Sequence, residues 1–444
     1  MNPRFHKVVV VGGGAGGLEL VIGLAKRWAF EFEPGRTCVM LVDQHATHLW
    51  KPLLHEVASG SLDPGLHAVD YADQARIHGF EFRQGALLGL KRGDRLIEID
   101  RVVDSAGNEV SPRQTIGYDT LVLAVGSVAN YFDVEGAPEY TFALDSVEQA
   151  RRFKRAFIYA CKRAEEDKRA GLDGTVRIAI VGAGATGVEV AAELKQAAYT
   201  LRAYGVHELD PEHDIVVTLV EKAPRILEAL PPRVSRAVTF SLDRAGVILR
   251  TGCEVMQASA SGLRMRSGEF LEAELIVWAA GIRGPALLSS LDHLPVGRLG
   301  QILVGATLQT TVDSSVFAMG DCAQCPWDAP GLWVPPRAQV AHQQAGFLVL
   351  ALTRRVDAGK AAPLPAFRYR DFGSLLSLGR LGTLGALGFG RGWPNVFLAG
   401  LVARAVYFSL HRIHAIAVKG LWPTVRHIFG NLFRRSASSG VKVH

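Results

Sequence analysis

The chain has 444 residues, 48% of them apolar, with 49 Lys and Arg against 43 Asp and Glu for a net charge of +6. That length exceeds what one ordinary core supports, and the composition excludes a disordered or low-complexity chain, so two or three folded domains are expected. The charge also excludes a uniformly basic protein: residues 372–444 hold nine basic and no acidic side chains, leaving 40 basic against 43 acidic elsewhere.

The first predicted strand, residues 8–11, runs straight into Gly12-Gly13-Gly14-Ala15-Gly16-Gly17 and an apolar helix. In a G-x-G-x-x-G unit, Gly12 permits the tight turn and Gly14 lets backbone N–H groups approach a pyrophosphate. Gly17 lets the helix pack closely on the strand, and the helix start, with Ala15 and Gly16, faces the anion. The second predicted strand ends in Asp43, placed to accept hydrogen bonds from a ribose diol. Residues 1–7 leave no room for a signal peptide, and the odd, mostly scattered five cysteines fit reduced thiols, so a cytosolic setting is expected.

Residues 48–60, rich in aromatic and ionisable side chains around Pro52, read as a loop entering a short helix near the first cofactor, with Lys51 against it. A packed Trp50 with surface histidines is the plainer reading. Residues 118–127 form a buried strand closed by Gly126, where a backbone passes close to a flat ligand. Residues 146–169 read as a charged helix bridging two nucleotide domains.

Residues 181–190 then repeat residues 11–20 at an offset of 170, with six of ten positions identical. Gly182, Gly184 and Gly187 take the three glycine positions, and the following strand ends in Glu221. One chain therefore has two dinucleotide sites. Glu189 is placed in the first helical turn, where it interacts favourably with the helix dipole. A further strand ends at Gly281, matching the first domain. Residues 310–321 read as a strand ending in Gly320-Asp321, whose carboxylate can hold the sugar-alcohol chain of a flavin. The return to the first domain falls near residue 300, making the second domain an insertion.

Gln339 and Gln343, four apart, share one helix face, and two neutral amides suit the carbonyls of a quinone. Taken alone, the pair reads as a solvated helix face. Cys322 and Cys325 raise thiol chemistry, but two thiolates are too few for a metal site, and residues 45–60 hold no cysteine pair of the disulfide-reductase kind. Neither metal nor nucleic acid is expected. Leu398, Val402, Val406, Leu410, Ile413 and Ala417 form an apolar stripe opposite Arg404, His411, Arg412, His414 and Lys419, bracketed by Trp393-Pro394 and Trp422-Pro423. No charge-free apolar run there is long enough to span a bilayer, so the helix is expected to lie on a membrane surface. A core or dimer helix gives the same stripe without requiring an acid-free stretch.

The motifs at residues 12–19, 48–60, 119–127, 182–193, 277–282, 320–323 and 335–344 resemble the two-dinucleotide-fold flavoproteins and, within them, the type II NADH:quinone oxidoreductases. The resemblance covers residue 7 to about 350. It implies an α/β architecture of two Rossmann-like domains, an FAD domain with an inserted NADH domain, followed by a C-terminal amphipathic helical membrane-binding region. The corresponding divisions are 1–145, 146–299, 300–371 and 372–444. It implies FAD on the first fold, with Ala338 among its contacts, NADH on the second, and membrane quinone as acceptor. It places Glu189 where nicotinamide meets the flavin ring and turns Gln339 and Gln343 toward quinone. Glu221 would repel a 2′-phosphate and so favour NADH over NADPH, with Lys222 beside it softening that preference. The expected setting is the cytoplasmic face of a bacterial inner membrane, peripheral and without proton pumping, with homodimer formation left open. A soluble NADH-dependent disulfide or other flavin-linked reductase is the alternative.

Overall fold

The computed structural model describes residues 6–31, 37–329, 331–359, 363–388, 396–403 and 405–407. Val8, Val9 and Val10 are fully buried, and such an unbroken apolar run suits a central parallel strand covered on both faces. The first sheet has the order Val316–Ala318, Thr120–Leu123, His6–Val11, Thr37–Asp43 and Glu81–Gln84, all parallel. The second has the order Phe142–Ala143, Leu275–Trp278, Val176–Val181, Ile215–Val220 and Val247–Arg250, again all parallel. In both, the strand leading into the glycine turn is central, where the strand order reverses and ligands of open α/β sheets bind.

The chain leaves the first sheet after Leu123 and rejoins it at Val316. The returning strand is shorter than the run from Thr310 indicates. Thr310 N–H donates to the Val316 carbonyl, and Asp313 accepts from the Ser315 N–H at 2.7 Å, so residues 310–315 form a turn. The two units meet at a two-stranded ladder in which Val128–Ala129 pairs antiparallel with Ile282–Arg283. Beside it the Trp278 indole donates to the Asn130 carbonyl at 2.8 Å.

The helix Val147–Arg169 starts at Ser146, whose hydroxyl accepts from the Gln149 N–H at 3.2 Å. Its apolar face, Phe153 and Phe157 included, is buried in the second unit's core, so it packs onto that unit rather than bridging the two. The short helix Leu54–Ser59 enters the same core. In the first unit, the long helix Ala338–Ala358 lies along Ala15–Glu31, where Trp28 Nε1 donates to Thr353 Oγ1 at 2.9 Å and His342 Nδ1 meets Glu19 Oε2 at 2.6 Å.

Beyond residue 371 the structure differs from a purely helical region. Gly373–Ser377, Thr383–Leu387 and Val396–Ala399 form an antiparallel sheet. Leu376, Leu378 and Ala386 bury into the second unit's core, and the Arg233 guanidinium sits 4.9 Å from the Phe397 ring centre. Leu398 therefore belongs to a strand, and helical residues are 400–403 and 405–407. Leu398 fits either period, being two residues from Val396 and four from Val402, which is why the stripe alone misplaced it. Arg404, Leu410, Ile413, Ala417 and the remaining basic and aromatic positions of that stripe lie outside the described residues, as do Trp393 and Pro394. Among the described residues no helix is long and apolar enough to cross a membrane.

Candidate active site

The two glycine turns are one geometry built twice. Gly12 has φ +105°, and a side chain on it would meet the Ala124 carbonyl oxygen at 2.3 Å; one on Gly17 would meet the Gly12 oxygen at 1.9 Å. Gly182 has φ +99°, and a side chain on Gly187 would meet the Gly182 oxygen at 1.9 Å. These four positions are dictated by backbone approach. Gly14 and Gly184 instead look onto open space, with no other heavy atom within 4 Å of a built Cβ. At Gly16 a Cβ would meet Met319 Cε at 2.6 Å and the Ala341 oxygen at 2.9 Å, so a glycine here also admits the long helix. Its counterpart Thr186 is exposed.

Each turn is closed by the acidic strand end read from the sequence. Asp43 Oδ2 accepts the Gly13 N–H at 2.6 Å and its Oδ1 the His45 N–H at 2.8 Å. Glu221 Oε2 accepts the Ala183 N–H at 2.6 Å and its Oε1 the Ala223 N–H at 2.8 Å. Tyr71, which no motif singled out, donates to the Gly13 carbonyl at 2.7 Å.

Asp321 sits in the single turn Gly320–Cys322. Ser127 Oγ donates to its carboxylate at 3.0 Å, and Gln301 Nε2 to its carbonyl at 2.7 Å. The Gly320 N–H donates to Gln344 Oε1 at 2.7 Å, so the buried Gln344 fixes the turn. Burial raises the Asp321 pKa while the nearby Lys51 ammonium opposes that shift. Lys51 itself donates to the Ser127 carbonyl at 3.0 Å and pairs with Asp145 at 3.0 Å. Gly126 has open space before it, whereas a side chain on Gly281 would meet the Phe132 ring at 2.8 Å, and Ala338 is the first residue of the long helix. The open cradle at Gly14, the pinned Asp43 and the part-buried Asp321 beside a cation fit the pyrophosphate, ribose and sugar-alcohol chain of FAD. Cys322 and Cys325 are buried, and burial pushes their thiols up to about 11 and about 12, so neither is a reactive thiolate at neutral pH.

Glu189 is the fifth residue of the helix Ala185–Ala198, one turn deeper than expected from the sequence. Its Oε1 accepts the Ser377 N–H at 3.0 Å, and His55 Nδ1 lies 3.8 Å from its Oε2. A helix N-terminus favours a charged carboxylate. Burial outweighs this and pushes Glu189 up to about 8, so it is mainly a neutral acid at pH 7. Burial pushes His55 down to about 4, leaving it neutral as well. One turn on, Glu193 accepts from Ser61 Oγ at 3.0 Å and Ser59 Oγ at 3.4 Å. Burial first, and then the acidic cluster of Glu189, Glu56 and Glu193, raise the Tyr407 phenol, so residues far apart in the chain come together around this acid.

Gln339 and Gln343 do share a face of the long helix, but both amides are occupied. Gln339 Nε2 donates to the Gly373 carbonyl at 3.0 Å and its Oε1 accepts the Phe372 N–H at 3.3 Å. Gln343 Nε2 donates to the Arg370 carbonyl at 2.8 Å and its Oε1 accepts the Arg370 N–H at 3.0 Å. With Arg337 paired to Asp371 at 3.2 Å, three side chains of one helix end clamp residues 370–373.

Two parallel five-stranded sheets, each carrying a glycine cradle closed by a carboxylate, define an oxidoreductase of the two-dinucleotide class. Residues 6–345 match the profile of the pyridine nucleotide-disulphide oxidoreductases. Over 426 residues, 93% of this chain and 94% of the relative, the sequence is 39% identical to the type II NADH:quinone oxidoreductase of Haemophilus influenzae. It is 25% identical over 431 residues, 94% of this chain and 86% of the relative, to the type II NADH:quinone oxidoreductase Ndh of Mycobacterium tuberculosis. The structure of NDH2 from Plasmodium falciparum in complex with NADH superposes with a TM-score of 0.80 at 17% identity, covering 98% of both chains. The chain belongs to the pyridine nucleotide-disulphide oxidoreductase family and, within it, to the type II NADH:quinone oxidoreductases.

Proposed function

We propose that the chain oxidises NADH, passes the electron pair through FAD to a quinone, and moves no protons across a membrane. The observation that carries this reading is the duplicated cradle, in which Asp43 and Glu221 each stand 2.6 Å from a turn amide, in a chain with these relatives. Gly12, Gly14, Gly17, Asp43, Lys51, Gly126, Gly320, Asp321 and Ala338 are assigned to FAD. Gly182, Gly184, Gly187, Glu221 and Gly281 are assigned to NADH. Bound FAD supplies the two-electron chemistry between NADH and quinone. Glu221 accepts the hydroxyls of an unphosphorylated ribose, and Lys51 offsets the Asp321 charge. NADH, quinone and one proton give NAD+ and quinol, and Glu189, neutral and buried, is suited to hold that proton for transfer. Gln339 and Gln343 serve the quinone region by holding residues 370–373 in place.

The units 1–145, 146–299 and 300–371 correspond in this reading to the FAD domain, the inserted NADH domain and the return to the FAD domain. Residues 372–444 begin with a sheet docked on the NADH domain and continue as the membrane-facing part. Leu401 and Val402, 82% and 62% exposed, together with the acid-free basic composition, support attachment to an anionic lipid surface on the cytoplasmic face of a bacterial inner membrane. Pairing of two copies is the competing use of that apolar face.

The test is to mix purified, flavin-loaded protein with NADH and a short-chain quinone while following flavin absorbance and NADH loss. Bleaching by NADH followed by recovery on adding quinone is expected. Bleaching without recovery removes quinone as the acceptor and leaves the soluble reductase.

A further inference from the structure

The surroundings of Glu221 hold more positive charge than a site for an unphosphorylated ribose requires. Lys222 follows it directly, Arg225 lies three residues on, and Arg266 comes from the neighbouring segment. Such cations would ordinarily welcome a 2′-phosphate, which carries a charge of about −1.5 to −2 at neutral pH. Each is already engaged. Arg225 donates to the Leu227 carbonyl at 3.1 Å and the Glu228 carbonyl at 2.5 Å. Lys222 Nζ donates to Glu254 Oε1 at 2.7 Å, and Arg266 Nε donates to Glu254 Oε2. Glu254 abuts the site, because the adjacent Cys253 N–H donates to the Glu221 carbonyl at 2.9 Å.

We propose that Glu254 is a positioning residue for cofactor choice, committing Lys222 and Arg266 to itself so that neither serves a 2′-phosphate beside Glu221. This rests on the reading that Glu221 holds the adenosine ribose. The softening role that the sequence alone gives Lys222 is thereby cancelled by a residue 32 positions later in the chain. The two cations draw Glu254 down to about 2, so it stays charged throughout the working pH range. All three side chains are at least partly solvated, so the latch acts through short-range charge neutralisation rather than rigid packing.

The experiment compares wild type, Glu254→Gln, Glu254→Asp, Glu254→Gln with Lys222→Ala, and Glu221→Gln, all flavin-loaded. Titration with 2′,5′-ADP and 5′-AMP by calorimetry gives binding, and NADPH and NADH kinetics give KM and kcat separately. Glu254→Gln should bind 2′,5′-ADP about tenfold more tightly and lower KM for NADPH similarly, with kcat and 5′-AMP binding near wild type. Adding Lys222→Ala should remove most of that gain, and Glu254→Asp should keep the wild-type preference. No gain in Glu254→Gln, or a gain that survives Lys222→Ala intact, overturns the proposal. If Glu221→Gln relaxes the preference while Glu254→Gln is silent, only the latch fails. If Glu221→Gln leaves the preference untouched, the ribose reading fails instead.

Discussion

Glu189 shows how one residue's surroundings set its chemistry. Its carboxyl titrates at about 8 instead of 4.5 because burial penalises the anion more than one backbone N–H and the helix start stabilise it. The folded chain therefore binds a proton that the unfolded chain has lost between those values. The associated stability is complete below 4.5, declines as pH rises, and is gone above about 8. Replacing Glu189 with Gln should thus raise Tm relative to wild type at pH 9 and much less at pH 5, the difference corresponding to a few kcal/mol. The same variant should slow quinone reduction at pH 7 by about tenfold or more, since an amide has no acid proton to give. Parallel Tm profiles from pH 5 to pH 9 would show that Glu189 is not the buried acid. The placement of Asp43 and Glu221 was legible in the sequence because it depends only on ending the strand beside a glycine turn. His55, Glu193 and Tyr407 were not, because nothing local to residues 55, 193 and 407 indicates that they meet.

Among the elements, the helix Ala338–Ala358 works mostly as a clamp. Its four-residue spacing of glutamines was readable, but their partners lie about 30 residues downstream in a segment with no periodic signal. Gln339→Ala removes three hydrogen bonds to residues 370–373, and Gln343→Ala removes two. Each should cost about 1 kcal/mol or more of local order and slow flavin reoxidation by quinone several-fold. Reduction of the flavin by NADH should stay near normal, because neither glutamine touches the second cradle. Stopped-flow measurement of the two half-reactions distinguishes this from a general loss, and equal slowing of both would place the clamp elsewhere. The sheet spanning residues 373–399 was hidden for a different reason. Its strands are only four or five residues long, as in Gly373–Ser377, and their burial depends on the second unit's core rather than on any alternation of their own.

At the scale of the whole molecule, the sheet also decides where a truncation that tests the proposed membrane attachment can begin. A cut before residue 396 would remove the strand Val396–Ala399 and disturb the second unit, so the informative truncation ends at Tyr407, which keeps the phenol that lies within the electrostatic reach of the Glu189 group. That truncated protein should retain FAD and cease to sediment with anionic vesicles. The full chain should sediment at low salt and less at high salt, each basic residue near the surface contributing about 1 kcal/mol. Sedimentation of the truncated protein would mean that the described part of the chain holds the lipid contact.

The position of Val316–Ala318 has one more consequence, for the order in which the chain is made. Strands Phe142–Ala143 to Leu275–Trp278 complete the second sheet within one continuous stretch of synthesis. The first sheet has four of its five strands by Leu123 but waits for residues 316–318, and its helix Ala15–Glu31 stays partly bare until Ala338–Ala358 emerges to cover it. On the ribosome the nicotinamide half therefore closes while the flavin half is still open. The unit translated first is the one whose apolar surface is exposed longest and relies most on protection from aggregation.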